Sequence, residues 1–468
     1  MSREIKSTNN KALELNLDPS SYGTIAEIGG GQEVSRKFFQ AGGASGTIAK
    51  TISAYDKSFS DYIYNKGVPD RYVSENRLDK MLHREYTDLI NILGSQMSSE
   101  TRFFAFANTV TTLNYKKDNF SHGWMGMRFQ LHAGSEPNYA VLHVTLLEND
   151  ALMQQNTLGV LGVNLIHACY YCCPDPNDFI QSLMDNLSHD QLEITMLRLA
   201  GPDFVDVDNR ILGVQLVKNG MTKAIMFDRY GNVQEPVDLL YKKNVLAFRG
   251  SFRPATYVTV DMLKTSYSIF KTDEDYDKNN TISLCEMTLH NLLDDGELDE
   301  RDFLDRVDIL NRLGQSVMVS NFSEYYKLVD YFSQFKIIKV RIVMGILTFI
   351  KVLDEKYYSN LKGGILEAFG KLFPDNMKLY VYPALNDDKS DLLMCKDLEL
   401  NENTRLLLDY LQTKRKILEI ENVRPDRLHI FPKDVMQMIQ QQNKAWEFMV
   451  PKTVVKIIKK KRLFGYKE

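Results

Sequence analysis

The segment richest in chemical possibility is Asn244-Val-Leu-Ala-Phe248, followed by Arg249, Gly250, Ser251, Phe252, Arg253, Pro254, Ala255 and Thr256. The apolar run reads as a strand, the Gly-Ser-Phe-x-Pro stretch as a turn, and the residues from about Thr259 as a helix. A strand that feeds a glycine turn and then a helix gathers backbone N–H groups and the positive end of the helix dipole at one point. That is where a phosphate binds. Thr24-Ile-Ala-Glu-Ile28, then Gly29, Gly30 and Gly31, then a helix from Glu33, repeats the layout. Its glycines would let the backbone approach a phosphate or ribose. The third spaced glycine is replaced by Glu33 or Val34, and a glutamate beside a phosphate is repulsive. Glu27, Gly29, Gly30 and Gly31 therefore form a secondary candidate loop, with a plain tight turn as the competing reading.

Other constellations are weaker. Ala44-Ser-Gly-Thr-Ile-Ala49-Lys50-Thr51 ends like a phosphate loop, but Ala44 and Ala49 replace both required glycines, and Phe38, Phe39 and Gln40 before it read as helix. Asp273, Asp275 and Asp277 open like a calcium loop. Lys278 stands where the glycine must be, so the segment reads as a solvated loop. The 8 histidines form no HxH, HxxxH or HExxH spacing, and no metal site is expected. The 5 cysteines, Cys169, Cys172, Cys173, Cys285 and Cys395, are too sparse for a disulfide framework. The Cys169-x-x-Cys172 pair ends an apolar run and reads as small hydrophobes in a buried helix. The basic run 456–462 reads as the solvated face of a last helix, where cations suit the dipole, with nucleic acid as the lesser reading.

The elements that must position these residues follow from pattern and composition. Helical spacing covers 71–95, 151–173 and 177–187; strands are expected at 102–112, 124–132, 139–147 and 192–199. Beyond 243, strands and helices alternate, which implies a parallel sheet with crossover helices. The chain has 468 residues, 44% hydrophobic and 25% charged, with net charge 57 − 61 = −4. These values exclude a disordered, collagen-like or membrane-spanning class, and the charge gives no sign of nucleic-acid or membrane binding. Residues 1–15 lack a signal peptide's apolar stretch, and the longest apolar run, 342–350, is far short of the ~20 residues of a membrane span. The expectation is a cytoplasmic, reduced protein. Three parts are expected: a flexible arm over 1–20, a mixed α/β domain over 21–242 and an α/β domain over 243–468.

The block 250–259 resembles the signature of the nucleotidyltransferases that make nicotinate or nicotinamide dinucleotides, Gly-Ser-Phe-x-Pro-x-[His/Thr]-x-x-His. Gly250, Ser251, Phe252, Pro254 and Thr256 match it; Thr259 replaces the second histidine. Met449-Val450-Pro451 with Val454, Ile457 and Ile458 resembles that family's closing Val-Pro helix. The family's phosphate-binding serines are Phe431 and Pro432 here, its arginine is Met436, and Lys433 is the only cation left locally. The resemblance implies a nucleotidyltransferase-like, Rossmann-like doubly wound sheet over 243–468. It also implies that Gly250, Ser251, Phe252, Arg253, Pro254, Thr256 and Lys433 hold ATP or an NAD-type nucleotide with Mg. In that family imidazoles stabilise charge at the reacting phosphorus. Thr259 carries no charge, and losing one such group costs on the order of 10²–10³ in rate. Glu27-x-Gly29-x-Gly31 resembles the first motif of S-adenosylmethionine-dependent methyltransferases.

From end to end, in blocks at 22–34, 49–56, 121–126, 240–243, 303–310 and 379–383, the chain also resembles a bacterial family. That family is described either as nicotinate-nucleotide adenylyltransferase or as TonB-dependent receptor. The receptor description conflicts with this sequence, which has no series of ~10-residue alternating strands. Two functions are expected: a nucleotide-binding protein with an eroded adenylyltransferase site, or a structural, self-assembling protein on a pseudoenzyme fold.

Overall fold

The computed structural model describes residues 4–30, 32–173, 175–274, 276–294, 297–386 and 391–467. Gly31 of the secondary loop and Asp275 of the acidic series lie outside the described residues. The chain forms two compact units, Met1–Thr222 and Lys223–Glu468.

In the first unit the order is α1 (Thr8–Asn16), β1 (Ser21–Gly29), α2 (Glu33–Ala41), β2 (Ile48–Ser53), α3 (Lys57–Asn65), α4 (Glu75–Leu93), β3 (Arg102–Thr111), β4 (His122–Phe129), β5 (Asn138–Leu146), α5 (Ala151–Tyr171), α6 (Pro176–Leu183), β6 (Leu192–Ala200) and α7 (Asn209–Lys218). Its sheet runs β2-β1-β3-β4-β5-β6. β1 lies parallel to β2 and β3, and the rest pair antiparallel. β3 is buried along eight consecutive positions, as a central strand covered on both faces must be. α5 is apolar on all sides and buried, and Asp150 caps it by accepting the Leu152 and Met153 N–H groups. Its Gly162 lets α2 come close: a Cβ there would sit 2.3 Å from a Val34 methyl.

Within the stretch expected to be a flexible arm, 1–20, residues Thr8–Asn16 form a docked helix. Lys11 of α1 is buried and its Nζ lies 2.7 Å from Asp185, also buried. It donates to Asn164 Oδ1 at 2.9 Å and to the Ser182 carbonyl at 3.1 Å. A polar, mixed-charge segment reads as loose because the partners of its lysine lie more than 150 residues away.

In the second unit the order is β7 (Ala224–Phe227), β8 (Val233–Gln234), α8 (Pro236–Leu240), β9 (Asn244–Arg249), α9 (Tyr257–Phe270), β10 (Thr281–Thr288), α10 (Leu289–Leu292), β11 (Leu293–Asp294), β12 (Glu297–Leu298), α11 (Glu300–Arg312), β13 (Ser316–Ser320), α12 (Tyr325–Ser333), β14 (Lys339–Gly345), α13 (Ile346–Val352), α14 (Gly364–Leu372), β15 (Met377–Tyr382), β16 (Ala384–Leu385), β17 (Leu392–Leu393), α15 (Glu402–Thr413), β18 (Ile417–Glu419), α16 (Pro432–Gln440) and α17 (Lys452–Lys461). The sheet order is β18-β15-β14-β9-β10-β13-β7-β8. From β18 to β13 every pairing is parallel. This is a doubly wound α/β sheet whose order reverses between β9 and β14, as in Rossmann-like folds. β7 joins it antiparallel to β13, so this unit starts at Lys223, some twenty residues before the expected 243. Among the described residues no helix is long and apolar enough to cross a membrane.

Candidate functional site

In an open α/β sheet ligands bind outside the carboxyl ends of the strands, where the strand order reverses. Here that point lies at the end of β9, at the Gly-Ser-Phe-x-Pro turn. Arg249 closes β9 with a two-pronged pair to buried Glu286 of β10, both contacts at 2.9 Å. The Ser320 hydroxyl donates to the same carboxylate at 2.5 Å, and the guanidinium lies 4.3 Å over the Tyr325 ring. Burial, against that neighbouring guanidinium, pushes the Tyr325 phenol up to about 12.

The turn itself is closed by its own side chains. The Gly250 N–H donates to the Glu286 carbonyl at 3.0 Å. Phe252, at φ +50°, folds inward and packs edge-on against Phe248 at 5.3 Å. A Cβ on Gly250 would lie 3.2 Å from the Phe252 ring, so the space that glycine leaves belongs to phenylalanine. Arg253 turns to Asp302 of α11 at 2.6 Å, and Arg306 pairs with the same carboxylate. Ser251 is exposed, while Pro254 and Thr256 are buried. Lys433 is exposed in the first turn of α16 and has no ion-pair partner among the described residues.

The first turn of α9 is occupied from within. The Thr256 hydroxyl accepts the Thr259 N–H at 3.5 Å and the Thr259 hydroxyl accepts the Thr256 N–H at 3.2 Å. This reciprocal cap uses both side chains expected to face a phosphate. The Tyr257 N–H donates to the Met449 carbonyl at 3.0 Å, so the residue before Val450-Pro451 sits on the helix N-terminus. One turn along, Asp261 accepts the Tyr382 hydroxyl at 2.6 Å. Burial first, then that carboxylate, pushes the Tyr382 phenol well up.

The secondary loop is also self-capped. Glu27 is buried and accepts from Ser35 N–H at 3.1 Å, Ser35 Oγ at 3.0 Å and Asn108 Nδ2 at 3.1 Å. The place at the N-terminus of α2 where a phosphate would sit holds this carboxyl group. Burial raises its pKa above the ordinary 4.5, against the opposing hydrogen bonds from Ser35 and Asn108. Gly29 has φ +83°, and a Cβ there would lie 2.0 Å from the Val110 carbonyl oxygen. Gly30 N–H donates to that same oxygen at 3.0 Å. These two glycines thus press the turn against β3. Lys50 and Thr51, the end of the P-loop-like string, lie inside strand β2 rather than at a helix start.

The cysteine spacing follows the bland reading: Cys169 is buried, and Cys173 donates its thiol to the Cys169 carbonyl at 2.8 Å. Burial pushes the Cys173 thiol up to about 12. Among the described residues no group of three or more His, Cys, Asp or Glu is placed to hold a metal ion. Sequence spacing missed one polar cluster. His143 Nε2 lies 2.9 Å from His122 Nδ1, and its Nδ1 lies 2.5 Å from Thr195 Oγ1. Burial, with His122 adding to it, pushes His143 well below 6.5, which keeps the ring neutral. The pairing register of β4 and β5, which sets Trp124 opposite His143, was the signal that would have joined them.

No protein-family model and no curated protein matches the chain. Several solved structures are similar to a part of it, among them two of low identity. One is the competence/damage inducible protein CihA from Agrobacterium tumefaciens: 14% identity, 36% of this chain, 98% of that chain, TM-score 0.26. The other is a Competence-Damaged Protein (CinA) superfamily protein from Klebsiella pneumoniae: 9% identity, 35% of this chain, 96% of that chain, TM-score 0.26.

Proposed function

We propose that this chain is a non-catalytic protein whose second unit is a nucleotidyltransferase-like fold closed against its nucleotide. The observation that carries this reading is the first turn of α9. Its Tyr257 and Thr259 N–H groups are taken by the Met449 carbonyl and the Thr256 hydroxyl, and the Thr259 hydroxyl is turned to the Thr256 N–H. A helix N-terminus binds phosphate through free N–H groups, and hydrogen-bonded ones no longer offer that site. The competing reading places ATP or an NAD-type nucleotide with Mg at Gly250, Ser251, Phe252, Arg253, Pro254, Thr256 and Lys433. It requires Phe252 to leave Phe248 and Arg253 to leave Asp302. Calorimetric titration of the full chain with Mg-ATP and NAD decides between them. No heat is expected at millimolar ligand; saturable binding below about 1 mM, worth roughly 4 kcal/mol, overturns the proposal.

Self-association is a second reading, favoured by one end of the first unit. Tyr115, Phe120, Leu147, Leu152 and Met153 are all exposed there. The segments carrying them are tied together by the Leu113 N–H to Gln154 Oε1 at 2.8 Å and by Lys117 to the Asn149 carbonyl at 2.6 Å. Light scattering across a concentration series tests it: a mass that rises with concentration and falls back in Leu152→Asp supports assembly. A monomer throughout refutes it.

A further inference from the structure

The second unit carries a cationic cleft at the other end of its sheet, and we infer that it binds single-stranded nucleic acid. The cleft has a volume of about 1000 Å³ and is lined by three elements. Lys456 and Lys460 lie one turn apart on α17, Arg312 ends α11, and Arg229 with Tyr230 forms the turn between β7 and β8. The antiparallel register sets Phe227 opposite Val317, so this turn lies at the amino end of β13, away from the crevice at Gly250.

Four of its cations, Arg229, Arg312, Lys456 and Lys460, are exposed and have no carboxylate partner among the described residues. The acidic side chains nearby are engaged. Asp308 pairs with Lys461, and the Asp228 carboxylate turns into the hairpin to accept the Tyr230 and Asn232 N–H groups at 2.8 and 2.9 Å. Compensation of the helix dipole accounts for Lys460 near the end of α17 and for Arg312 at the end of α11, but not for Lys456 in the middle of α17 or for Arg229 brought from the hairpin turn. The lining also offers a stacking surface: Tyr230 is 71% exposed, and the Arg229 guanidinium lies 4.9 Å over its ring. Clustered cations that track a backbone, beside an exposed aromatic face for a base, are the two parts of a single-strand site. A compact anion would use the charge and leave the tyrosine idle. The inference stands whether or not the crevice at Gly250 takes a nucleotide, because the two sites share no residue.

The test is fluorescence anisotropy of the full chain with a labelled thymidine oligonucleotide of about 20 bases, which has no duplex structure. Binding is expected at about 50 mM salt. Its log–log salt slope should be near −2.8, from about 0.7 per phosphate neutralised by the four cations, and near −1.4 for Lys456→Gln/Lys460→Gln. Tyr230→Ala should weaken binding by about 5- to 150-fold, the range of one lost base stack. Lys456, Lys460 and Tyr230 are exposed, so the melting temperatures of these variants should match the parent. No binding at about 100 μM protein in low salt overturns the inference, as does an unchanged slope in the double lysine variant. A silent Tyr230→Ala, with inorganic polyphosphate competing as well as the oligonucleotide, overturns it in favour of a bare anion site.

Discussion

Glu27 tests whether the glycine loop of the first unit is a ligand site or a self-capped turn. Glu27→Ala removes the acceptor for the Ser35 N–H and for Asn108 Nδ2, while the Ser35 hydroxyl keeps the Gln32 carbonyl at 3.0 Å. Two buried donors are orphaned at about 1–3 kcal/mol each, so a loss of about 2–6 kcal/mol is expected. Glu27→Gln keeps an acceptor for Ser35. Its new amide meets Asn108, whose Oδ1 has no hydrogen-bond partner. Turning that amide over makes a bond from a clash, and the cost near pH 5 should stay under about 1 kcal/mol. The two variants then separate with pH. The folded carboxyl has a pKa above its ordinary 4.5, so the native state holds a proton that the unfolded chain gives up. Wild-type stability from this group is complete below 4.5 and falls as pH rises toward the folded value, by at most about 1.4 kcal/mol per pH unit. Glu27→Gln does not titrate, so the wild type should lose ground to it between pH 4.5 and the folded value and then level off. The assay is urea unfolding at a series of pH values, followed through Trp124 in a Trp446→Phe background, since the 2 tryptophans divide between the units. A difference that stays flat with pH, or a Glu27→Gln variant as unstable as Glu27→Ala, refutes the self-capped turn.

Three further outcomes follow from the same packing. Lys11→Met should cost about 3–5 kcal/mol, because it leaves Asp185 buried without its charge partner, and adding Asp185→Asn should restore most of that. In calorimetry this is a drop of about 6–20 °C for a unit of this size. Gly29→Ala should destabilise the first unit by more than about 1–2 kcal/mol, the left-handed penalty alone, with the Val110 carbonyl contact added. A melting temperature equal to the parent's would refute the close approach to β3. Thr256→Val should lower the second unit's unfolding free energy by about 1 kcal/mol, the worth of one N-cap, and leave any nucleotide heat unchanged.

The doubly wound sheet of the second unit was legible in the sequence. Buried parallel strands are continuous apolar runs, and residues 245–248 and 342–344 show that run directly. The glycine turns were legible as turns, because Gly29 at φ +83° is a backbone requirement that the chain states locally. The boundary was not. A four-residue strand, Ala224–Phe227, carries no mark of which sheet it joins; its pairing with β13 decides that. What fills the turns was not legible either. The sequence by itself determined that glycine turns end two strands. Only the tertiary structure decided that Glu27 caps α2, that Phe252 packs on Phe248, that the Met449 carbonyl takes the Tyr257 N–H, and that Arg229 and Arg312 join the C-terminal lysines. The physical reason is range: strand, turn and cap signals act over a few residues. The contacts that occupy a helix N-terminus or gather charge in one cleft span up to some 230 residues, and only packing brings them together.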